Sequence, residues 1–149
     1  MVSPVMIDAK NPLYSVNGVF NAIFIHGNVL GDAMFYGSGA GKLPTASAVV
    51  ADVVDCAKNK GRNIMMSWSE EKLDLLQIDD VKSRFFVRVS GHAAERQSEI
   101  EELFGKVEIV AVPSLSEEFA FITGEITEQE YREKAEKLDG IQSRIRARI

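Results

Sequence analysis

Residues 82–149 pass through six elements in an order that few folds accommodate. Residues 84–90 (RFFVRVS) alternate in side-chain character as a strand does. Residues 93–104 then take a helical period, with Ile100, Leu103 and Phe104 on one side. Two further strands are predicted at 107–112 (VEIVAV) and 118–124 (EFAFITG), a helix at 127–138 and a last strand at 143–149. The second helix opens TEQE, a capping box in which Thr127 caps a backbone amide and Glu130 reaches back. The order βαββαβ predicts two helices on one face of a four-stranded antiparallel sheet, the ferredoxin-like split βαβ architecture. So short a unit holds a small core, so docking or pairing with a second copy is expected to support it.

The earlier part of the chain has a different character. Glycines are dense (Gly18, Gly27, Gly31, Gly37, Gly39, Gly41, Gly61) and charges are few. Two β-rich runs, 16–25 (VNGVFNAIFI) and 29–36 (VLGDAMFY), flank His26, Gly27 and Asn28 and predict a hairpin. Both runs are apolar at nearly every position, which predicts a sheet covered on both faces. Residues 44–60 (PTASAVVADVVDCAKNK) turn helical, with Asp52, Asp55, Lys58 and Asn59 in one narrow solvent-facing stripe. Pro44 or Thr45 supplies the start and Gly61 the stop. Residues 61–80 carry neither period and are read as a connector packing Met65, Met66, Trp68 and Leu75 against a surface. The predicted division is 1–62, a connector at 63–81, and 82–149.

Composition narrows the function classes. The chain of 149 residues has 46% apolar and 26% charged residues, as a folded globular protein does. Its net charge is −5, with 6 basic against 9 acidic residues up to Asp80 and 11 against 13 after it. Neither part has the clustered Lys and Arg that displace counterions from a nucleic acid. Arg144, Arg146 and Arg148 alternate as one face of a strand and are read as a solvated sheet face or a subunit contact. No apolar run approaches the roughly 18 residues of a membrane span, and residues 1–10 lack a signal-peptide order. No nucleic-acid or membrane partner is therefore expected. The single cysteine, Cys56, fits a reducing, cytoplasmic setting and is read as core.

The strongest chemical signal is GSGAG, Gly37 to Gly41, between an apolar strand and a helix. Glycines let backbone amides approach a ligand, and a helix N-terminus adds unpaired N–H groups and a positive dipole end. The spacing is neither the dinucleotide fingerprint nor a P-loop, so it reads either as a tight turn into a buried helix or as a ligand loop. His26 in the hairpin turn and His92 at a strand exit have no second ligand at metal spacing, so no metal site is expected. Asn21, polar within an apolar run, is expected to make a structural hydrogen bond. Glu101, Glu102, Glu128, Glu130 and Glu133 follow helical spacing as solvated faces, and no catalytic arrangement of Lys, Asp or Glu is visible.

Residues 11–55 carry a resemblance. NPLYSVNGVFNAIFIHGNVLGDAMFYGSGAGKLPTASAVVADVVD is similar to the last part of the catalytic domain of the homoserine dehydrogenase family. That family's pattern runs as a Pro-Leu start, a G-x-x-N-A strand, a hairpin, then G-P-G-A-G-x-x-P-T-A and a helix. Ser38 stands where the family usually has proline. Residues 82–149 resemble in element order the ACT regulatory domain that follows in many bacterial members, with SGHAAER (90–96) replacing the usual effector turn.

The resemblance implies an α+β chain: a remnant of a sheet-and-helix catalytic domain, then a ferredoxin-like, ACT-like domain. It implies NAD- or NADP-dependent interconversion of L-aspartate 4-semialdehyde and L-homoserine, on the route to threonine, methionine and isoleucine. Gly41, with Gly39 beside it, matches the position that approaches the nicotinamide cofactor by a backbone contact. The family's nucleotide-binding domain and catalytic lysine have no counterpart in these residues, so the chain is expected to be the C-terminal portion of a larger enzyme and inactive alone. A homodimer or higher homo-oligomer and an amino-acid effector such as threonine are implied as partners. The rival reading is a non-catalytic, amino-acid-binding regulatory and dimerisation module.

Overall fold

The computed structural model describes residues 1–62 and 67–149, which divide into two units. Unit 1 comprises residues 1–8 and 74–149; unit 2 comprises residues 9–73.

Unit 1 is built on β4 (Lys82–Ser90), in which Phe85, Val87 and Val89 alternate onto one face and are fully buried. Helix α2 (Ala93–Phe104) follows, then β5 (Glu108–Val110), β6 (Glu118–Ile122), β7 (Ile126–Thr127), α3 (Glu128–Ala135) and β8 (Ile141–Arg148). The sheet runs β8-β4-β6-β5 with antiparallel neighbours, the split βαβ order that the sequence predicts. Ile100 and Phe104 from α2, Tyr131 and Leu138 from the α3 side, and Phe119 and Phe121 from β6 complete the core. Phe85 and Tyr131 pack ring to ring at 4.4 Å, and Phe104 and Phe121 at 5.2 Å. Buried Thr123 accepts the Phe85 amide at 2.9 Å and donates to the Gly124 carbonyl, so its hydroxyl is satisfied both as acceptor and as donor.

Two elements go beyond the sequence reading. The short β7 pairs with the start of β4, and β1 (Val5–Ile7) adds to the outer edge of β8 in parallel register, Val5 opposite Arg146. Three residues are too few for a period to register, and their partner lies some 140 residues away.

The capping box at α3 is present in both directions: Thr127 Oγ1 accepts the Glu130 amide at 3.1 Å, and Glu130 accepts the Thr127 amide at 2.8 Å. The Thr127 amide holds the Glu130 carboxyl below its usual range. A lowered carboxyl stabilises the fold above its unfolded-state value, and that contribution is lost as pH falls through the folded one. Thr127→Ala is expected to cost unit 1 about 1 kcal/mol in urea denaturation. Glu130→Gln should flatten the acid limb of the stability profile, and an unchanged limb would deny the carboxylate that part.

Unit 2 holds the hairpin of β2 (Phe20–Gly27) and β3 (Gly31–Ser38), then α1 (Lys42–Lys58). Its turn lies at residues 28–30, closed by Gly27 opposite Gly31, so His26 is on the strand opposite Asp32 and not in the turn. Val29 and Leu30 occupy the turn and are 94% and 80% exposed; apolar residues there hid the turn from the sequence reading.

Four further expectations are corrected. Helix α1 starts at Lys42 with Gly41 as its cap; of the two predicted starts, the proline in the first helical turn is found and the Thr45 cap is not. Helix α1 buries no residue in this chain, and the hairpin strands carry exposed Ile23, Ile25 and Phe35, so the covered sheet and narrow solvent stripe are not found. Cys56 is exposed for the same reason: its apolar surroundings face outward. Trp68 and Leu75 are 82% and 88% exposed and pack against no surface; Met65 and Met66 lie outside the described residues.

Candidate functional site: the glycine loop of unit 2

The loop leaves β3 at Ser38 and enters α1 at Lys42. Gly41 holds φ 119° and ψ 153°, a backbone conformation that residues with a Cβ rarely adopt, and its carbonyl accepts the Thr45 amide at 3.2 Å. Because the cap has no side chain and Pro44 has no N–H, the first-turn amides of Lys42 and Leu43 receive no side-chain cap. No acidic residue lies in the first turn, so the positive end of the helix dipole is left uncompensated there. That arrangement offers backbone N–H donors to a phosphate or a carboxamide.

Gly39 is fixed by a close approach. A Cβ built there would lie 1.7 Å from Asn21 Nδ2, so the loop backbone rests directly on the Asn21 side chain. Asn21 sits opposite Gly37 across the hairpin, which places its exposed side chain against the loop; no hydrogen bond of the kind the sequence predicts is found for it among the described residues. At the foot of the same loop Phe20 and Tyr36 stack at 5.0 Å with an interplanar angle of 14°. The sequence reading found the glycines and missed this support, whose signal was the pairing of an odd asparagine with a glycine across a hairpin.

The other candidates do not join the loop. His26 Nδ1 hydrogen-bonds the exposed Asp32 carboxylate across the hairpin. His92 caps α2 through its backbone alone. Among the described residues no three His, Cys, Asp or Glu side chains gather as for a metal. Among the described residues no helix is long and apolar enough to cross a membrane. In unit 1 two of the three β8 arginines, Arg144 and Arg146, are paired within the chain, while Arg148 is exposed. Glu128 is 5% exposed, not on a solvated face as its spacing predicts, and takes Arg144 at 2.9 Å as well as Arg146. Arg144 also lies over the Tyr131 ring at 4.7 Å. Burial pushes the Tyr131 phenol above its ordinary range, with Arg144 acting against it.

A glycine loop opening a helix without a side-chain cap, on one chain with a ferredoxin-like unit, defines a mixed α+β protein. Known proteins agree. The homoserine dehydrogenase family profile matches residues 1–54. The homoserine dehydrogenase of Lactococcus lactis is 42% identical over 91 residues, covering 59% of this chain and 21% of that protein. The one from Corynebacterium glutamicum is 54% identical over 59 residues, 40% of this chain and 13% of that protein. Crystal structures of homoserine dehydrogenases match nearly the whole chain: that of S. aureus with TM-score 0.70 and 27% identity over 98% of this chain and 37% of that one. The Thiobacillus denitrificans structure matches in fold with TM-score 0.74 over 98% of this chain and 38% of that one. Residues 1–54 match the homoserine dehydrogenase family, and the whole chain has the fold of one portion of those enzymes. The chain spans about a fifth of the length of the Lactococcus relative.

Proposed function

We propose that this chain is a C-terminal portion of an NAD- or NADP-dependent homoserine dehydrogenase, interconverting L-aspartate 4-semialdehyde and L-homoserine in the cytoplasm, in threonine, methionine and isoleucine biosynthesis. The observation that carries the reading is the glycine loop: Gly41 opens α1 without a side chain, within the segment that matches the family. Gly41 and Gly39 are the residues that would hold the nicotinamide cofactor, by their backbone amides. The cofactor, when bound, supplies the hydride acceptor. The loop binds and orients through its backbone. Unit 1 is read as an ACT-like regulatory domain taking an amino acid such as threonine, in a homodimer or higher homo-oligomer.

The test is a homoserine oxidation assay on the longer protein that contains this segment, with each cofactor and with and without threonine. Turnover is expected from the longer protein and none from residues 1–149 alone. Turnover by the purified chain alone would overturn the fragment reading. A longer protein inert toward homoserine would leave the non-catalytic regulatory module as the better account.

A further inference from the structure

We propose that Phe20 and Tyr36 are positioning residues for the glycine loop: a ring-on-ring clasp that holds the open end of the hairpin, where the loop departs. The register sets Phe20 opposite Ser38, the last residue of β3, and Tyr36 opposite Ala22. Each ring therefore has a small side chain directly across the ribbon, and the two rings meet on the diagonal, a separation that aromatic side chains span. They stack nearly parallel, 14° apart in plane. Phe20 and Tyr36 are 43% and 51% exposed, so burial among the described residues does not hold them. They hold each other.

The ribbon needs a clasp at this end. A two-stranded ribbon is marginally stable without a layer packed on it, and α1 buries no residue in this chain. Such a ribbon opens from its ends. The turn end is closed by Gly27 opposite Gly31 and by the His26–Asp32 pair beside them. The other end has no turn, and there the stack joins the first residue of β2 to the last turn-free rungs of β3. The seat of the loop is the next step along both strands: Asn21 follows Phe20, Gly39 follows Ser38, and the Gly39 backbone rests on the Asn21 side chain. Parting the strands at Phe20 and Ser38 therefore unseats Gly39 and the amides that lead into Gly41. This inference rests on the cofactor-loop reading and extends it from the glycines to two side chains that touch no cofactor.

The test has two readouts: amide hydrogen exchange along the hairpin of the 149-residue chain, and the cofactor KM and kcat of homoserine oxidation by the longer protein. Tyr36→Ala is expected to speed exchange about fivefold at residues 20–22 and 36–38, with the rungs near the turn unchanged, and to raise the cofactor KM by a similar factor with a smaller change in kcat. Phe20→Ala should do the same, and the double variant should do no more than either single one. Tyr36→Phe keeps the ring and should behave as the parent in both readouts. Asp32→Asn loosens the opposite clasp and should speed exchange near the turn while leaving the KM unchanged. Parent-like exchange at residues 20–22 and 36–38 in Tyr36→Ala would overturn the clasp. A KM raised equally by Asp32→Asn, or unmoved by Tyr36→Ala, would overturn the positioning role and make the stack ordinary hairpin support. A parent longer protein without turnover would fault the dehydrogenase reading instead, and the exchange readout on the 149-residue chain would still decide the clasp.

Discussion

Glu128→Ala is expected to destabilise unit 1 by about 3 kcal/mol, the lower end of what breaking a buried ion cluster costs. Glu128 is 5% exposed and is the shared acceptor of Arg144 and Arg146. Alanine would leave two guanidinium groups facing each other with no carboxylate between them. Arg146 carries most of the penalty, because its side chain is only 14% exposed. Arg144, at 40%, can turn toward water and keeps the faces of Phe85 and Tyr131, which holds the cost below the upper end of the range. In a unit of this size the loss corresponds to a fall in Tm of about 10 °C or more. Urea denaturation followed by Tyr131 and backbone signals measures it. A loss under about 1 kcal/mol would mean that water already reaches the cluster. Exchanging all three residues for aliphatic ones of similar volume should cost far less than the single change, because it removes the charges together with their desolvation.

This cluster also marks a limit of what the sequence can reveal. Helical spacing put Glu128 with Glu130 and Glu133 on a solvated face, and Glu130 is indeed exposed. Glu128 is drawn inward because β8 presents two arginines beneath the first turn of α3, a contact between elements that no local period encodes. The opposite holds for β4, whose alternation of Phe85, Val87 and Val89 is written in consecutive residues and appears unchanged in the core. The capping box was equally legible, since Thr127 and Glu130 need only each other. Helix α1 shows a third case. Val49, Val50, Val53 and Val54 announce burial, yet stay 43–62% exposed, because burial needs a surface that these residues do not themselves provide. The glycine loop was legible as glycines in a row, while the reason for Gly39 lay across the hairpin at Asn21.

That contact supplies the sharpest test of the loop. In the longer protein, Gly39→Ala is expected to lower kcat/KM for homoserine oxidation about a hundredfold, since displacing a positioning element by about 1 Å can cost that much. The new Cβ would lie 1.7 Å from Asn21 Nδ2, a separation no structure tolerates, so the loop must lift from the hairpin or the amide must swing away. Lifting the loop shifts the backbone amides that lead into Gly41, and swinging Asn21 away removes the side chain on which they rest. Substituting Gly41 itself is a poorer probe, because φ 119° strains any residue with a Cβ and the fold and the ligand contact would suffer together. Asn21 offers the control. Asn21→Gly removes the obstructing side chain, so combining it with Gly39→Ala should recover most of the lost activity and give a large coupling energy between the two positions. Recovery in the double variant would tie the defect to loop position. Kinetics of Gly39→Ala equal to those of the parent would make GSGAG a turn that leads into a helix and nothing more.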